Sequence, residues 1–244
     1  MATVHPRLTQ LVHRVSPLVK TYLPPVHALI RRGVVAWNRR RARQLAASRY
    51  EAGLPLLERS HLAALCSHLG LRGEGAEIGV YEGAYSEEFL QFGDLAVLHL
   101  IDPWKEFHQD DYSDKINAAQ EEMQRRFEFT QDRLRRFGTR CRFHREMSEE
   151  AVGRFEDASL DFVYIDANHS YAASRQDIAW WWPKVRPGGI FAGHDYLEGQ
   201  IEGSDYGVKR AIDEFVAEHD QQLFVIDEPW PSWYLIKRPV SASE

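Results

Sequence analysis

Two short polar clusters in the sequence contain the residue types of a metal or acid–base site. Asp166-Ala-Asn-His169 follows the apolar run 160–165, and His194-Asp195-Tyr196 follows the run 190–193. Neighbouring strands lie about 5 Å apart, so adjacent parallel strands with these ends bring the two aspartates together. Carboxylates at that distance repel unless they share a proton or hold a cation, and their oxygens suit Mg²⁺ or Mn²⁺. We therefore expect a divalent metal here; the alternative is that each aspartate caps the helix after its strand.

A glycine-containing turn lies upstream, in the stretch 75–86. An apolar strand pattern over 76–80 breaks at Gly79 and Gly83, and a helical pattern begins directly afterwards. A strand that turns through glycines into a helix presents unpaired backbone N–H groups and lets a ligand approach the main chain. In an open α/β sheet, this first turn is where a nucleotide-like cofactor binds. The spacing is G-x-x-x-G, so the dinucleotide fingerprint G-x-G-x-x-G is absent.

Asp102 and Ser148 are the residues that we expect to contact such a cofactor. Asp102 ends the apolar strand 96–101 and lies 23 residues after Gly79, a separation at which an acidic residue can hold both hydroxyls of a ribose. The alternative is an aspartate that only caps a turn at the end of its strand. Ser148 follows the short strand 141–144. It either meets an adenine edge or caps the next helix, and the sequence favours neither.

The order of apolar strands and helical patterns predicts an α/β fold with a doubly wound, mostly parallel sheet of seven strands. The turn 186–189 is expected to lead into a strand that starts at Ile190. A short proline-containing connection joins the last two strands, 223–226 and 233–236, and suits an antiparallel pair. Other expected elements are an N-cap at Ser60, a helix stop at Gly70, and helices over 173–182 and 206–219.

The insert 103–140 is expected to be a lid, because long connections in α/β domains are usually binding elements. It begins with the aromatic residues Trp104, Phe107 and Tyr112 and contains a helical pattern over 116–137. A surface helix with many ion pairs is the alternative.

The chain begins with a strongly basic segment. Ten of its 30 Lys and Arg residues but none of its 36 acidic residues lie in 1–50, which leaves a charge of −16 on the rest. We define residues 1–57 as the N-terminal arm and 58–240 as the body of the chain. The arm reads as basic helical segments interrupted by Pro17 and Pro24-Pro25. A helical cover, a peripheral contact with anionic lipid and an organelle transit peptide are all open, whereas the acidic body argues against nucleic acid.

Composition and cysteine usage predict a cytoplasmic globular protein. The hydrophobic content of 44% is typical of a folded chain, and no run of about 18 apolar residues predicts a membrane span. Cys66 and Cys141 match no metal or redox spacing and are expected to be reduced, buried thiols. The three consecutive tryptophans at 180–182 cannot all face the sheet from one helix. Together with the arm, they predict a homodimer.

The order and spacing of the motifs resemble the class I S-adenosylmethionine (SAM) methyltransferases over residues 72–240. More narrowly, they resemble the bacterial small-molecule O-methyltransferases that include macrocin O-methyltransferase and cephalosporin-hydroxylase-like proteins. The resemblance rests on E-I-G-V-Y-E-G (77–83), L-I-D-P-W (100–104), Y-I-D-A-N-H-S-Y (164–171), P-G-G (187–189), G-H-D-Y (193–196) and G-V-K-R-A-I-D-E-F (207–215).

This resemblance implies a Rossmann-like methyltransferase fold and a role for each matching residue. Metal-dependent relatives often have an acidic residue before the second aspartate, whereas this chain has His194, which shifts the preference from Mg²⁺ toward Mn²⁺, Fe²⁺ or Zn²⁺. The implied SAM-binding residues are Glu77, Gly79, Tyr81, Gly83, Asp102, Ser148 and Asp166. The implied metal ligands are Asp166, His194 and Asp195, and the implied general base is His169.

The activity that we expect is transfer of the SAM methyl group to a hydroxyl of a small molecule or glycan, with a divalent metal and His169 assisting. Three alternatives stay open at this point. The first is a metal-independent methyltransferase in which His169 and His194 orient the substrate. The second is a non-catalytic SAM-binding protein. The third is an NAD(P) oxidoreductase, against which the missing third glycine and the closing strand pair count.

Overall fold

In the computed structural model, which describes residues 24–107 and 117–238, the chain alternates strands and helices as the sequence predicts. The described part divides into two compact units, with the boundary between Leu45 and Ala46. The strands are β1 Glu74–Ile78, β2 Val97–Ile101, β3 Cys141–His144, β4 Leu160–Ile165, β5 Val185–Gly193, β6 Gly199–Ile201, β7 Ser204–Tyr206, β8 Phe224–Ile226 and β9 Ser232–Ile236. The α-helices are α1 Pro24–Glu51, α2 His61–His68, α3 Ala84–Phe92, α4 Gln120–Leu134, α5 Ser148–Ala151, α6 Tyr171–Trp181 and α7 Val208–Glu218.

Seven of these strands form one sheet in the order β3-β2-β1-β4-β5-β9-β8. The pairs β1/β2, β2/β3, β1/β4 and β4/β5 are parallel, whereas β9 is antiparallel to both β5 and β8. The central strands β2 and β4 are buried along their whole length, which explains their almost continuous apolar sequence. The predicted α/β fold, with a mostly parallel sheet and an antiparallel closing pair, is confirmed.

The carboxyl ends of β1, β2, β3, β4 and β5 lie along one edge of this sheet, because all five strands are parallel to one another. The order of their ends follows the order of the strands, so β3 lies farthest from β5. In open sheets of this kind, ligands bind outside the carboxyl ends. We therefore expect a ligand-binding site along this edge of the sheet.

Several expected boundaries are wrong. Strand β5 begins at Val185, five residues before Ile190, so the expected turn 186–189 lies within the strand. Its pairing with β4 shifts register between Leu160 and Phe162, which accommodates the glycines. The sequence analysis did not predict the separate two-stranded sheet that β6 and β7 form.

Helix ends differ from expectation in smaller ways. Ser60 occupies the N-cap position of α2, but its side chain makes no capping bond and its hydroxyl donates to Glu58 instead, at 3.3 Å. Gly70, with φ of +73°, ends that helix as expected. In the insert, α4 covers Gln120–Leu134 and a 3₁₀ segment, Arg135–Arg140, continues to β3.

The three tryptophans at the end of α6 have different environments. Trp181 is fully buried in the core, and Trp182 packs edge-on against Phe191 and Phe215. Trp180 lines the cavity at the edge of the sheet. Cys66 is buried as expected, whereas Cys141 is only partly buried. Among the described residues, no helix is long and apolar enough to cross a membrane.

Candidate active site

A cavity of about 450 Å³ opens at the carboxyl ends of β1 to β4. This volume lies in the range of small-molecule sites. Five of the residues expected to bind a cofactor line it, and two do not. The five are Gly79, Tyr81, Asp102, Ser148 and Asp166; the two are Glu77 and Gly83. Other walls come from Trp104, Met123, Met147, Gln176, Asp177 and Trp180.

Gly79 is required by the close approach of β1 to the end of β4. Its φ is +85°, and a Cβ atom there would lie 1.9 Å from the backbone oxygen of Asp166. Gly83, with φ of +70°, is the N-cap residue of α3, so it shapes the turn without facing the cavity. Between them, Tyr81 has φ of +53°, an uncommon value for a residue with a side chain. Three residues of this turn, Gly79, Tyr81 and Gly83, therefore have positive φ values.

Asp102 holds this turn against the end of β2. Its Oδ2 accepts hydrogen bonds from the backbone N–H groups of Val80 (3.0 Å) and Tyr81 (2.9 Å), and its Oδ1 accepts one from Trp104 (2.8 Å). Burial raises the pKa of Asp102, and these three donors partly offset that effect. Asp102 therefore does cap a turn at the end of its strand, which was the alternative expectation. The carboxylate also lines the cavity, where its remaining lone pairs can accept from a ligand hydroxyl.

Ser148 does not cap α5, contrary to one of the two expectations. The N-cap residue is Met147, and Ser148 is the first residue of the helix. Its hydroxyl donates to Asp177 Oδ1 at 2.5 Å and accepts from the indole N–H of Trp181 at 2.9 Å. Burial raises the pKa of Asp177 to about 6, and the Ser148 hydrogen bond opposes that rise. Ser148 therefore hydrogen-bonds two side chains of α6, Asp177 and Trp181.

The two predicted polar clusters meet at the ends of β4 and β5. We call Asp166, His169, His194 and Asp195 the acid–imidazole cluster. Oδ2 of Asp195 lies 3.0 Å from Nε2 of His169, and its Oδ1 lies 3.0 Å from Nδ1 of His194. Each of these ring nitrogens lies 3.7 Å from Oδ1 of Asp166. The predicted convergence of two carboxylates and two imidazoles is therefore found.

Asp195 is held in this position by its backbone and its partners. It has φ of +52°, an uncommon conformation that aspartate tolerates better than most residues. Only 6% of the residue is exposed. Burial by itself raises the pKa of this carboxyl, but the hydrogen bonds and charges of His169 and His194 outweigh it and hold the pKa well below its usual range. A carboxylate that stays ionised in a buried setting is suited to holding positive charge.

Part of the chain matches a known protein family. Residues 76–196, from β1 to the second cluster, match a family described as a methyltransferase domain. The match covers just under half of the chain. No curated protein matches the chain.

Solved structures with the same fold include two O-methyltransferases. One, from Bacillus cereus in complex with S-adenosylhomocysteine (SAH), is 14% identical, with a TM-score of 0.54, 92% of this chain covered and 97% of the other. TomG from Streptomyces achromogenes, involved in tomaymycin synthesis and in complex with SAM, is 19% identical, with a TM-score of 0.54 and coverage of 80% and 89%. A Corynebacterium glutamicum protein is 19% identical, with a TM-score of 0.52 and coverage of 84% and 91%. At these identities, the likeness establishes the fold: a Rossmann-like methyltransferase fold.

Within the matched range 76–196, Glu77 lies behind the cavity wall. It is 2% exposed, and its Oε2 accepts a hydrogen bond from Ser86 at 2.6 Å. Burial raises the pKa of Glu77 to about 8, and the Ser86 hydrogen bond lowers it in part. Glu77 therefore does not line the cavity in which we expected it to contact the cofactor.

Three residues of the acid–imidazole cluster place ligand atoms close enough together that they could hold one cation. One ligand atom each from Asp166, His169 and Asp195 lie within 4.8 Å of one another. Ions of the Mg²⁺, Mn²⁺ or Zn²⁺ class have ligands at about 2.0–2.3 Å, so three atoms at this separation can surround one. His169, the expected general base, is the imidazole in that group, whereas His194 was the expected ligand. Each ring nitrogen lies 3.0 Å from Asp195 and 3.7 Å from Asp166, but the set whose atoms all lie within 4.8 Å of one another contains His169 and not His194.

Two residues beside the cluster were missed by the sequence analysis. Arg59 Nη1 lies 3.8 Å from Oδ2 of Asp166 and donates to the Tyr164 hydroxyl at 3.4 Å. Arg59 precedes α2 and has no motif, so no pattern pointed to it. Tyr206, in β7, stacks on the His169 ring with centroids 5.0 Å apart and 12° between the planes. The hairpin that carries it was not predicted.

The insert contributes to the cavity at both of its described ends. Trp104 is buried, and its indole N–H donates to the backbone oxygen of Tyr81 at 2.9 Å. Phe107 and, from α4, Met123 also line the cavity. Tyr112 and the start of the expected helix at 116 lie outside the described residues, as do Pro17 and the first apolar pattern of the N-terminal arm.

Proposed function

We propose that this chain is a SAM-dependent O-methyltransferase that acts on a hydroxyl of a small molecule or a glycan sugar. The observation that carries the proposal is the double position of Asp166. Its carboxylate belongs to the acid–imidazole cluster, and the same residue lines the cavity at the glycine turn. A methyl donor in that cavity would therefore have its reacting end next to groups that can bind and deprotonate an acceptor.

The cavity residues have the chemistry to hold the donor. When bound, SAM supplies an electrophilic methyl group on a sulfonium. Gly79 leaves the main chain open to close approach, and Asp102 presents carboxylate oxygens to a ribose. Met147 and Trp180 provide apolar walls for a purine. That two O-methyltransferases of the same fold hold SAM or SAH supports this choice of donor.

The acid–imidazole cluster would prepare the acceptor. A neutral hydroxyl is a poor nucleophile, and a positioned imidazole with a pKa near neutrality can remove its proton. We assign this step to His169, whose ring is fixed by stacking on Tyr206 and by its contact with Asp195. Alignment of the acceptor oxygen with the methyl group then contributes the rest of the rate, because positioning alone is worth several powers of ten.

We propose that Asp166, Asp195 and one imidazole hold a divalent cation, Mg²⁺ or Mn²⁺. A bound cation lowers the pKa of a coordinated hydroxyl. The carboxylates suit either ion, and an imidazole shifts the preference toward Mn²⁺. With His169 as the base, His194 is the imidazole ligand.

A metal-independent methyltransferase is the second candidate, and one contact favours it. The guanidinium of Arg59 lies 3.8 Å from the carboxylate of Asp166, so part of its negative charge is already balanced by the protein. In that case, the imidazoles alone would bind and orient the acceptor. A non-catalytic SAM-binding protein would keep the donor cavity without any acceptor.

Three further properties stay proposals. Residues 58–240 would form the catalytic domain, with 103–140 as a lid over the acceptor. The N-terminal arm would contribute to a homodimer or to a peripheral contact with an anionic membrane. The acceptor would be a small molecule and not a nucleic acid, and the narrower resemblance to macrocin O-methyltransferase and cephalosporin-hydroxylase-like proteins would make a sugar hydroxyl the first choice.

Methyl transfer from labelled SAM into small molecules extracted from the source cells tests the proposed function. We expect label in a product that survives mild alkaline hydrolysis, as a methyl ether does and a methyl ester does not. An NAD(P) oxidoreductase would instead bind NAD and leave SAH unbound in a thermal-shift comparison. Binding of SAH without any labelled product would favour the non-catalytic alternative.

A further inference from the structure

Asp177 is a buried carboxylate in the wall of the cavity that no motif pointed to. It lies on α6, and only 5% of the residue is exposed. It nevertheless lines the cavity beside Ser148, Gln176 and Trp180. A carboxylate buried to this degree is rarely found without partners, because the loss of hydration destabilises its charged form.

The hydrogen bonds around Asp177 leave one oxygen for a ligand. An indole N–H can only donate, so the Trp181 side chain donates to Ser148 Oγ. The Ser148 hydroxyl hydrogen then points to Oδ1 of Asp177. Within the described parts of the chain, this is the only hydrogen bond to the carboxylate, and Oδ2 has no protein donor. The chain Trp181–Ser148–Asp177 thus fixes which oxygen is used and which stays available.

The position of Asp177 along the sheet edge indicates which part of a donor it would meet. The methyl group must lie near Asp166, at the end of β4, if it is to reach the acid–imidazole cluster. Asp102, at the end of β2, would take the ribose. A nucleoside extended along the strand ends then places its base beyond β2, next to Ser148 at the end of β3. Asp177 contacts Ser148 and therefore lies at the base end.

We propose that Asp177 is a specificity-determining residue of the donor site and accepts a hydrogen bond from the exocyclic amino group of the purine. This inference rests on the proposed function, because it takes SAM as the donor. It also gives Ser148 a role different from the expected contact with an adenine edge, because its hydroxyl hydrogen is donated to Asp177. Ser148 instead orients the carboxylate that reads the base.

Two ligands isolate this contact. One is SAH, and the other is its analogue with hydrogen in place of the purine amino group. For the wild-type protein at pH 8, we expect isothermal titration to give at least tenfold tighter binding of SAH, because a hydrogen bond to a charged acceptor is lost in the analogue. Equal affinities of the wild-type protein for the two ligands would overturn the proposal.

Asp177→Asn tests the residue itself. Ser148 still donates to an oxygen, so the amide oxygen takes the Oδ1 position and the NH₂ group faces the purine amine. The preference for SAH should then fall to less than threefold. Asp157→Asn makes the same change at an exposed aspartate outside the cavity and should leave the preference intact. A tenfold preference retained in Asp177→Asn would contradict the inference.

Asp177→Ala serves as a second variant in case Asp177→Asn does not fold. A further outcome distinguishes failure of this inference from failure of the proposed function on which it rests. If Asp177→Asn does not give a wild-type melting transition, Asp177→Ala should show the same loss of preference. Failure of the wild-type protein to bind either ligand would overturn the proposed SAM-dependent function together with this inference. Binding of both ligands without discrimination would overturn only the role of Asp177.

Discussion

The carboxylate of Asp195 lies 3.0 Å from the ring nitrogen Nε2 of His169, although the two residues are separated by a helix and a strand in sequence. Its other oxygen makes the same approach to His194. Burial of such a carboxylate is unfavourable unless positive charge or hydrogen bonds surround it, and here two imidazoles do so. This arrangement suits the residue either for holding a cation or for orienting a base.

Asp195→Asn separates cation binding from donor binding. The variant removes one negative charge from the acid–imidazole cluster, so Mn²⁺ affinity should fall at least tenfold, because the amide lacks the charge and the deprotonated oxygens that such ions prefer. SAH affinity should change less than twofold, since Asp195 does not line the cavity. Isothermal titration with MnCl₂ and with SAH measures both. Asp213→Asn, on α7 and hydrogen-bonded by Tyr196, is the matched control. Unchanged Mn²⁺ affinity in Asp195→Asn would favour the metal-independent candidate.

His194→Ala and His169→Ala should differ although the two ring nitrogens lie at the same distances from the aspartates. If His194 is the imidazole ligand, its removal lowers Mn²⁺ affinity about tenfold or more, whereas removal of His169 leaves it within threefold. Electron paramagnetic resonance of free Mn²⁺ in a titration reads both variants directly. The reverse result would make His169 the ligand and would require His194 to be the base.

Gly79→Ala should damage both the fold and the donor site. The new Cβ atom would lie 1.9 Å from the backbone oxygen of Asp166, and φ of +85° is unfavourable for alanine. We expect a loss of about 3 kcal/mol in the free energy of unfolding, from strain and overpacking together. Urea unfolding measures it. Gly153→Ala, where nothing lies within 4 Å of the added atom, should change stability by less than about 0.5 kcal/mol.

Asp177 makes stability depend on pH in a predictable direction. Burial raises its pKa to about 6 in the folded protein, against an ordinary value of 3.8, so the folded state binds the proton more tightly. Its stabilising contribution is present below about pH 4 and is lost as pH rises past about 6, an effect of about 3 kcal/mol. Asp177→Asn should therefore gain stability over wild type between pH 4 and pH 7.5. Urea unfolding at both pH values tests this, and a pH-independent difference would contradict it.

The sequence alone predicted the elements whose signal is local and repeated along the chain. The apolar runs that became β2 and β4 stood out because both strands are buried along their length. The meeting of Asp166 with Asp195 followed from parallel pairing of their strands, a rule that needs no side-chain detail. The antiparallel closing pair followed from a connection too short for a crossover.

The errors arose where a long-range contact overrides a local preference. Ser148 has the sequence position of a helix cap, but Asp177, 29 residues later, takes its hydroxyl hydrogen. Arg59 lies outside every motif, and only the folded chain brings it to Asp166, 107 residues away in sequence. The hairpin of β6 and β7 has three-residue strands, too short to show an alternating pattern.

The most direct test of the account is turnover of labelled SAM by wild type and His169→Ala, each first shown to bind SAH. Because His169 does not line the cavity, both proteins should bind SAH with affinities within twofold of each other. We expect wild type to transfer label to a hydroxyl of an acceptor from the source cells, and the variant to be at least 100-fold slower. Equal turnover in the two proteins would contradict the assignment of the acid–imidazole cluster as the place where the acceptor is deprotonated.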